Sequence, residues 1–210
     1  MLSPAEFIPV LEEHHLISAL DQYMLKEICR EAEERKQKGI GMVPISFNVS
    51  RDDFSSIDVA AVICEIADSY HIPHELLVAE ITESAFSADP EYISAQAERI
   101  HNAGFQIWMD DFGSGYSSLV MLQSMQVDLV KLDMGFLQTY EQEKKNGKGE
   151  HSAAMLQAVI RLANTLGLHT LCEGAETSEH VDLLKHAGCE YVQGYYLGKP
   201  SPLSAISPQA

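Results

Sequence analysis

Carboxylates, a lysine and two amides recur in this 210-residue sequence at one kind of position, at or just after the end of a short apolar run. In chain order they are Asn48, Glu80 with Glu83, Asp110 with Asp111, Lys131 with Asp133, Glu173 with Glu176, and Gln193. Bare carboxylates gathered in one pocket repel, and burial makes their ionisation costlier still. Divalent cations relieve both costs. An all-oxygen set of Asp, Glu and an Asn carbonyl suits Mg²⁺ or Mn²⁺ and does not select zinc. Adjacent Asp110 and Asp111 can place one carboxylate between two metals and the other on the second. Two metals ~3.5–4 Å apart clamp the attacking and leaving oxygens of a phosphodiester. Lys131 could orient or help deprotonate the water, or balance charge. Taken singly, each residue has a plainer reading. A strand-end carboxylate caps a helix or sits on the surface, and Gly113 and Gly115 serve a tight turn. Thr82 and Ser84 are ordinary loop hydroxyls, Lys131 pairs with Asp133 or Asp110, and Gln193 satisfies backbone. Recurrence at one position of a repeating unit favours the shared site.

That repeating unit is a strand followed by a helix. A first helix is expected over about Ile17–Lys38, and a strand over Val43–Val49, rich in β-branched and aromatic residues. Ser55 or Ser56 would cap a helix running to about Tyr70. Leu76–Thr82 reads as a strand, with Asp89-Pro90 as N-cap and first helical residue and Gly104 as the stop. Phe105–Met109 and Leu129–Leu132 read as strands. The charged stretch Gln138–Glu150 reads as a solvated loop or frayed helix end. A helix through Met155 and Leu166 precedes a strand at His169–Cys172. Thr177 or Ser178 opens a helix that Gly188 ends, and Tyr191–Leu197 is the last strand. Alternation of strands and helices without tandem hairpins implies parallel strands with right-handed crossovers. A barrel gathers all its strand ends at one mouth, whereas a doubly wound sheet uses only those beside its switch point. Polar residues at the same end of six strands therefore favour an α/β barrel. No G-x-G-x-x-G or Walker lysine loop is present.

Composition narrows the functions. The chain carries 14 Lys and Arg against 31 Asp and Glu, a net charge of −17. That balance argues against a sequence-independent grip on a nucleic acid polymer. It leaves room for a small phosphorylated ligand if metals supply the positive charge. No apolar run reaches the ~18–20 residues that span a bilayer. Cys29, Cys64, Cys172 and Cys189 form no C-x-x-C and read as free thiols of a reducing cytoplasm. The nine histidines lack zinc spacing.

At these residues the sequence resembles the EAL-domain family of cyclic-di-GMP phosphodiesterases, along essentially its whole length. Ser3 to Pro9 resembles the segment after the family's second strand. Phe47-Asn48-Val49-Ser50 resembles its N-x-S strand end, and Glu80-Ile81-Thr82-Glu83-Ser84 its E-I/L-T-E motif. Asp110 to Ser118 (DDFGSGYSS) is similar to its most specific loop, which here includes Phe112, Gly113, Ser114, Gly115, Tyr116 and Ser117. Val130-Lys131-Leu132-Asp133, Glu173 to Thr177 and Gln193-Gly194-Tyr195 complete the set in order. The resemblance implies a TIM-type (β/α)8 barrel over residues 1–200, with an irregular tail at 201–210. It implies that Asn48, Glu80, Asp110, Asp111 and Glu176 are metal ligands of a two-metal Mg²⁺ or Mn²⁺ site. It makes Lys131 and Glu173 the residues that position or activate the water. Glu83 would hold the Asp111–Ser118 loop, which couples ligand binding to metal binding and dimer contacts, and Gln193 would shape the pocket. The reaction would open cyclic-di-GMP to linear pGpG.

One departure is plain. The Glu-Ala-Leu motif that names the family, with its metal-binding Glu, is absent from the sequence. A nearby Arg that contacts phosphate in the family, and the first strand, are missing with it. His15 also stands where the family usually has Gly. The expected barrel is therefore N-terminally incomplete, with about six of eight strands. Its open edges need covering, by a homodimer or by an upstream GGDEF or sensory domain of a longer protein. Two functions follow: a metal-dependent cyclic-di-GMP phosphodiesterase, or a catalytically impaired cyclic-di-GMP receptor or protein-interaction module. A third, another metal-dependent barrel such as an enolase-like enzyme, is opposed by the DDFGSGYSS loop.

Overall fold

In the computed structural model, residues 3–115, 122 and 126–202 are described. Tyr116, Ser117 and most of the expected 201–210 tail lie outside them. Six described strands run in the sheet order β1-β2-β3-β4-β5-β6, two fewer than a complete (β/α)8 barrel. The chain divides into two compact units, one of Met1–Ile81 with Ala88–Ile107, the other of Thr82–Ser87 with Trp108–Pro202.

The first unit starts with α1 (Pro4–Glu13), where Glu6 reaches back to the Ser3 N–H at 2.7 Å. The long α2 (Ile17–Gln37) follows and buries Leu25, Cys29 and Ala32 on one helical stripe. β1 covers Ile45–Val49 and starts two residues later than expected, just after Pro44, which has no N–H for a ladder. Phe47 and Val49 point into the core, and alternation leaves Asn48 between them exposed. β1 pairs in parallel with β2 (Leu77–Thr82), and Asn48 stands directly opposite Glu80.

The single helix expected up to Tyr70 is two. Ser50 caps α3 (Arg51–Ser56) in a capping box with Asp53. Asp58 caps α4 (Val59–Ser69). The Ser55 and Ser56 hydroxyls turn back to the Asp52 carbonyl at 3.2 and 2.6 Å, so they close α3 instead of opening α4. The last helix of this unit is α6 (Pro90–Asn102), capped by Asp89 as its sequence predicts.

The second unit contains all but the last residue of α5 (Glu83–Ala88), so Ser84 is helical and not a loop residue. Its strands are the end of β3 (Gln106–Phe112), then β4 (Leu129–Leu132), β5 (His169–Cys172) and β6 (Tyr191–Val192). β4 is buried along its whole length. The charged Gln138–Glu150 stretch is mostly helical. It ends α7 (Gly135–Lys145), turns through Gly147 at φ +72°, and begins α8 (Gly149–Thr165). β6 is much shorter than Tyr191–Leu197. The Gln193 N–H still reaches the Cys172 carbonyl at 2.9 Å, but Tyr196 then bonds back to Ala175. α9 (Ser178–Ala187) opens at Thr177 and closes at Gly188, in the left-handed region, as expected. The four cysteines are free, and burial pushes the Cys29 thiol up to about 11. No helix among the described residues is long and apolar enough to cross a membrane.

Candidate functional site

Lys131 lies at the centre of β4 and is 5% exposed. Its ammonium sits 2.8 Å from Asp110 Oδ1 and 2.9 Å from Glu173 Oε1. β3 and β5 flank β4, so an ammonium from the middle strand bridges a carboxylate of β3 and one just past the end of β5. Of the two partners the sequence left open for Lys131, the structure pairs it with Asp110. Asp133 instead accepts the Gly135 N–H at 2.8 Å and so holds the start of α7.

Asp111 joins this cluster through a backbone irregularity. Met109 pairs with Val130 and Phe112 with Leu132, so two residues of β3, Asp110 and Asp111, oppose Lys131 alone. This is a β-bulge, which leaves an extra residue and re-aims side chains. Asp111 takes it up with φ +56°, and its N–H bonds the Asp110 carboxylate at 3.0 Å. In a regular strand the two aspartates would face opposite sides. Here Asp110, Asp111 and Glu173 each offer an oxygen within 4.8 Å of the others. Partial burial, and then the charges of Asp110, Asp133 and Glu173, raise the Asp111 carboxyl above its ordinary range, against the pull of Lys131. Three hard oxygen donors with one ammonium among them could hold a hard divalent cation.

The loop after β3 is tied from beneath. Glu83, buried at the start of α5, accepts the Gly113 N–H on Oε2 at 2.7 Å. Gly113 has φ +93°, and a Cβ there would meet the Phe136 ring at 2.3 Å, so both conformation and space demand glycine. Ser114 and Gly115 are exposed beyond it.

Glu173 and Glu176 flank Gly174 and Ala175 after β5. The Ala175 N–H bonds the Gln193 carbonyl at 3.0 Å. Gly194 lies so close that a Cβ would stand 2.2–2.6 Å from Ala175 backbone atoms. Gln193 and Glu176 are exposed, and Gln193 joins the ladder through its backbone. Two helical residues that the sequence reading did not single out support this loop. Buried His180 accepts the Glu176 N–H at 3.3 Å and reaches Glu141 at 2.9 Å. The sequence carried one sign of this, the position of His180 three residues after the N-cap Thr177. Asn48 and Glu80 belong to the first unit, side by side in register.

The EAL domain family model matches residues 1–200. An uncharacterized signaling protein of Caulobacter vibrioides is 31% identical over 99% of this chain and 24% of its own length. The bifunctional diguanylate cyclase/cyclic di-GMP phosphodiesterase MucR of Pseudomonas aeruginosa is 29% identical over 98% of this chain and 29% of its own. The solved PaMucR phosphodiesterase in its c-di-GMP complex superposes with a TM-score of 0.86 at 28% identity, over 97% of this chain and 80% of that one. The chain spans about a quarter of the length of the first curated relatives it matches. A family match over residues 1–200, on a parallel strand order with carboxylates and a lysine at the strand ends, means that the chain belongs to the EAL domain family.

Proposed function

We propose that this chain is a metal-dependent phosphodiesterase that hydrolyses cyclic-di-GMP to linear pGpG in bacterial second-messenger signalling. The observation that carries the reading is the cluster of Asp110, Asp111 and Glu173 around the buried ammonium of Lys131. It is supported by cyclic di-GMP phosphodiesterases among the relatives and a c-di-GMP complex among the structural neighbours.

Asp110 and Asp111 would hold Mg²⁺ or Mn²⁺, with Glu176 as a third protein ligand. Asn48 and Glu80 are proposed as further ligands on their place in the family's motifs. The metals would supply positive charge to the phosphodiester oxygens and favour ionisation of the attacking water. Lys131, held between Asp110 and Glu173, would orient the water. Glu173 would then accept its proton. Glu83, holding the Gly113 N–H, would fix the loop that follows Asp111, and Gln193 would shape the pocket. A homodimer belongs to this reading and is checked by light scattering.

The alternative is a receptor or interaction module that binds cyclic-di-GMP without turnover. Substitution separates the readings. Asp110→Ala and Glu173→Ala are each expected to abolish pGpG formation. Retained turnover in either would overturn the assigned roles. Tight cyclic-di-GMP binding by the parent chain without turnover would favour the receptor.

A further inference from the structure

The loop that carries Glu173 and Glu176 ends on a histidine that no motif above includes. His180 is 4% exposed, although it lies in the first turn of α9 on a helix end whose neighbours Thr177, Ser178 and Glu179 are exposed. A buried imidazole must satisfy both nitrogens. Nδ1 accepts the Glu176 N–H at 3.3 Å. Nε2 therefore carries the hydrogen and donates it to Glu141 Oε1 of α7 at 2.9 Å.

The arrangement is a capping box shifted by one residue. In the usual box, the third helical residue reaches back to the N–H of the cap. Here the cap is Thr177, whose hydroxyl accepts the His180 N–H at 3.2 Å. The His180 side chain passes the cap and takes the N–H of Glu176 instead. The backbone of Glu176 is thus fixed from below while its carboxylate stays exposed and available. Glu141 in turn orients the ring. The same face of α7 holds α9 through neighbouring residues, with the Tyr140 hydroxyl donating to Glu179 at 2.8 Å and Lys144 paired with Glu179. The Tyr140 ring stands edge-on to the imidazole, with centroids 6.4 Å apart.

We propose that His180 and Glu141 are positioning residues for Glu176, a carboxylate–imidazole–backbone relay that sets the direction of the Glu176 side chain toward a divalent cation. The inference rests on Glu176 being a metal ligand. Partners that orient a ligand from behind change metal affinity by about 10–100-fold when removed. A residue that only stabilised the helix end would change folding and leave affinity alone.

Calorimetric Mn²⁺ titration of the purified chain and its variants tests this, with melting followed in EDTA. His180→Leu removes both bonds, and its Mn²⁺ dissociation constant should rise about 10–100-fold. His180→Gln offers an amide oxygen to Glu176 and an N–H to Glu141. It should hold affinity within about threefold of the parent. Glu141→Ala, at a partly exposed site, should weaken Mn²⁺ about tenfold even if the leucine variant fails to fold. Thr177→Ala removes the helix cap without touching the Glu176 N–H. It should lower the melting temperature and leave Mn²⁺ affinity within about twofold. Glu141→Ala at parental affinity, or Thr177→Ala weakening Mn²⁺ as much as His180→Leu, would overturn the relay and leave the site reading standing. A parent chain that takes up no Mn²⁺ would overturn both.

Discussion

Replacing Lys131 by Met keeps an unbranched side chain, one atom shorter, and removes its charge. The ammonium lies 2.8 Å from Asp110 and 2.9 Å from Glu173, with only 6% of the lysine side chain exposed. At an effective dielectric near 20, each pair is worth roughly 6 kcal/mol of gross attraction. Most of that is spent on desolvating the three groups. Truncating one partner of a buried pair leaves the others charged and unpaired, at a net cost of about 3–5 kcal/mol. Here the groups left behind also repel each other and Asp111. Set against the 5–15 kcal/mol of an ordinary domain, this is a large loss. Urea denaturation in EDTA reads it directly. Millimolar Mn²⁺ should then restore part of the loss, because a cation bound at about 100 times its dissociation constant adds about 2.7 kcal/mol. A loss in EDTA below about 1 kcal/mol would be the cost of a surface pair. It would refute the idea that Lys131 neutralises a carboxylate cluster.

Two other perturbations follow from the geometry. Asp21 is half-buried beside Asp53, its Oδ2 has no hydrogen-bond partner, and burial and then the Asp53 charge push its pKa up to about 7. The folded chain therefore holds a proton that the unfolded chain releases near pH 3.8. The resulting stability is full below about pH 4 and is lost as pH rises to about 7. Asp21→Asn should abolish that difference, and equal pH dependence in both proteins by urea unfolding at pH 5 and 8 would contradict it. Gly194→Ala would drive a methyl to within 2.2–2.6 Å of Ala175 backbone, which cannot swing away as a side chain can. It should cost about 1–3 kcal/mol or more and weaken Mn²⁺ binding through the Glu173–Glu176 loop. An unchanged melting temperature would show that this approach is not tight.

What could be read ahead of the structure was whatever local chemistry decides. The Asp89 and Thr177 caps, the Gly188 stop, β4 and β5 all follow from a few adjacent residues. Features that depend on a distant partner were not legible. The lysines and glutamates of Gln138–Glu150 look like a solvated loop, yet Glu141 and Lys144 have their partners on α9, 39 and 35 residues further along. Period-two alternation sets Asp110 and Asp111 on opposite faces, and only the bulge against β4 brings both carboxylates to Glu173. Ser55 and Ser56 mislead because a hydroxyl at a helix end can serve either the helix before it or the one after. The role of His180 depends on burial between two helices, which its own neighbours do not disclose.

The central claim is tested most directly by turnover. The purified chain is incubated with cyclic-di-GMP in Mn²⁺ and, separately, in EDTA, and linear pGpG is followed by chromatography. Product that accumulates with Mn²⁺ and is absent with EDTA is the result expected of a carboxylate cluster that works through a divalent cation. No product in Mn²⁺, or equal product in EDTA, would contradict it.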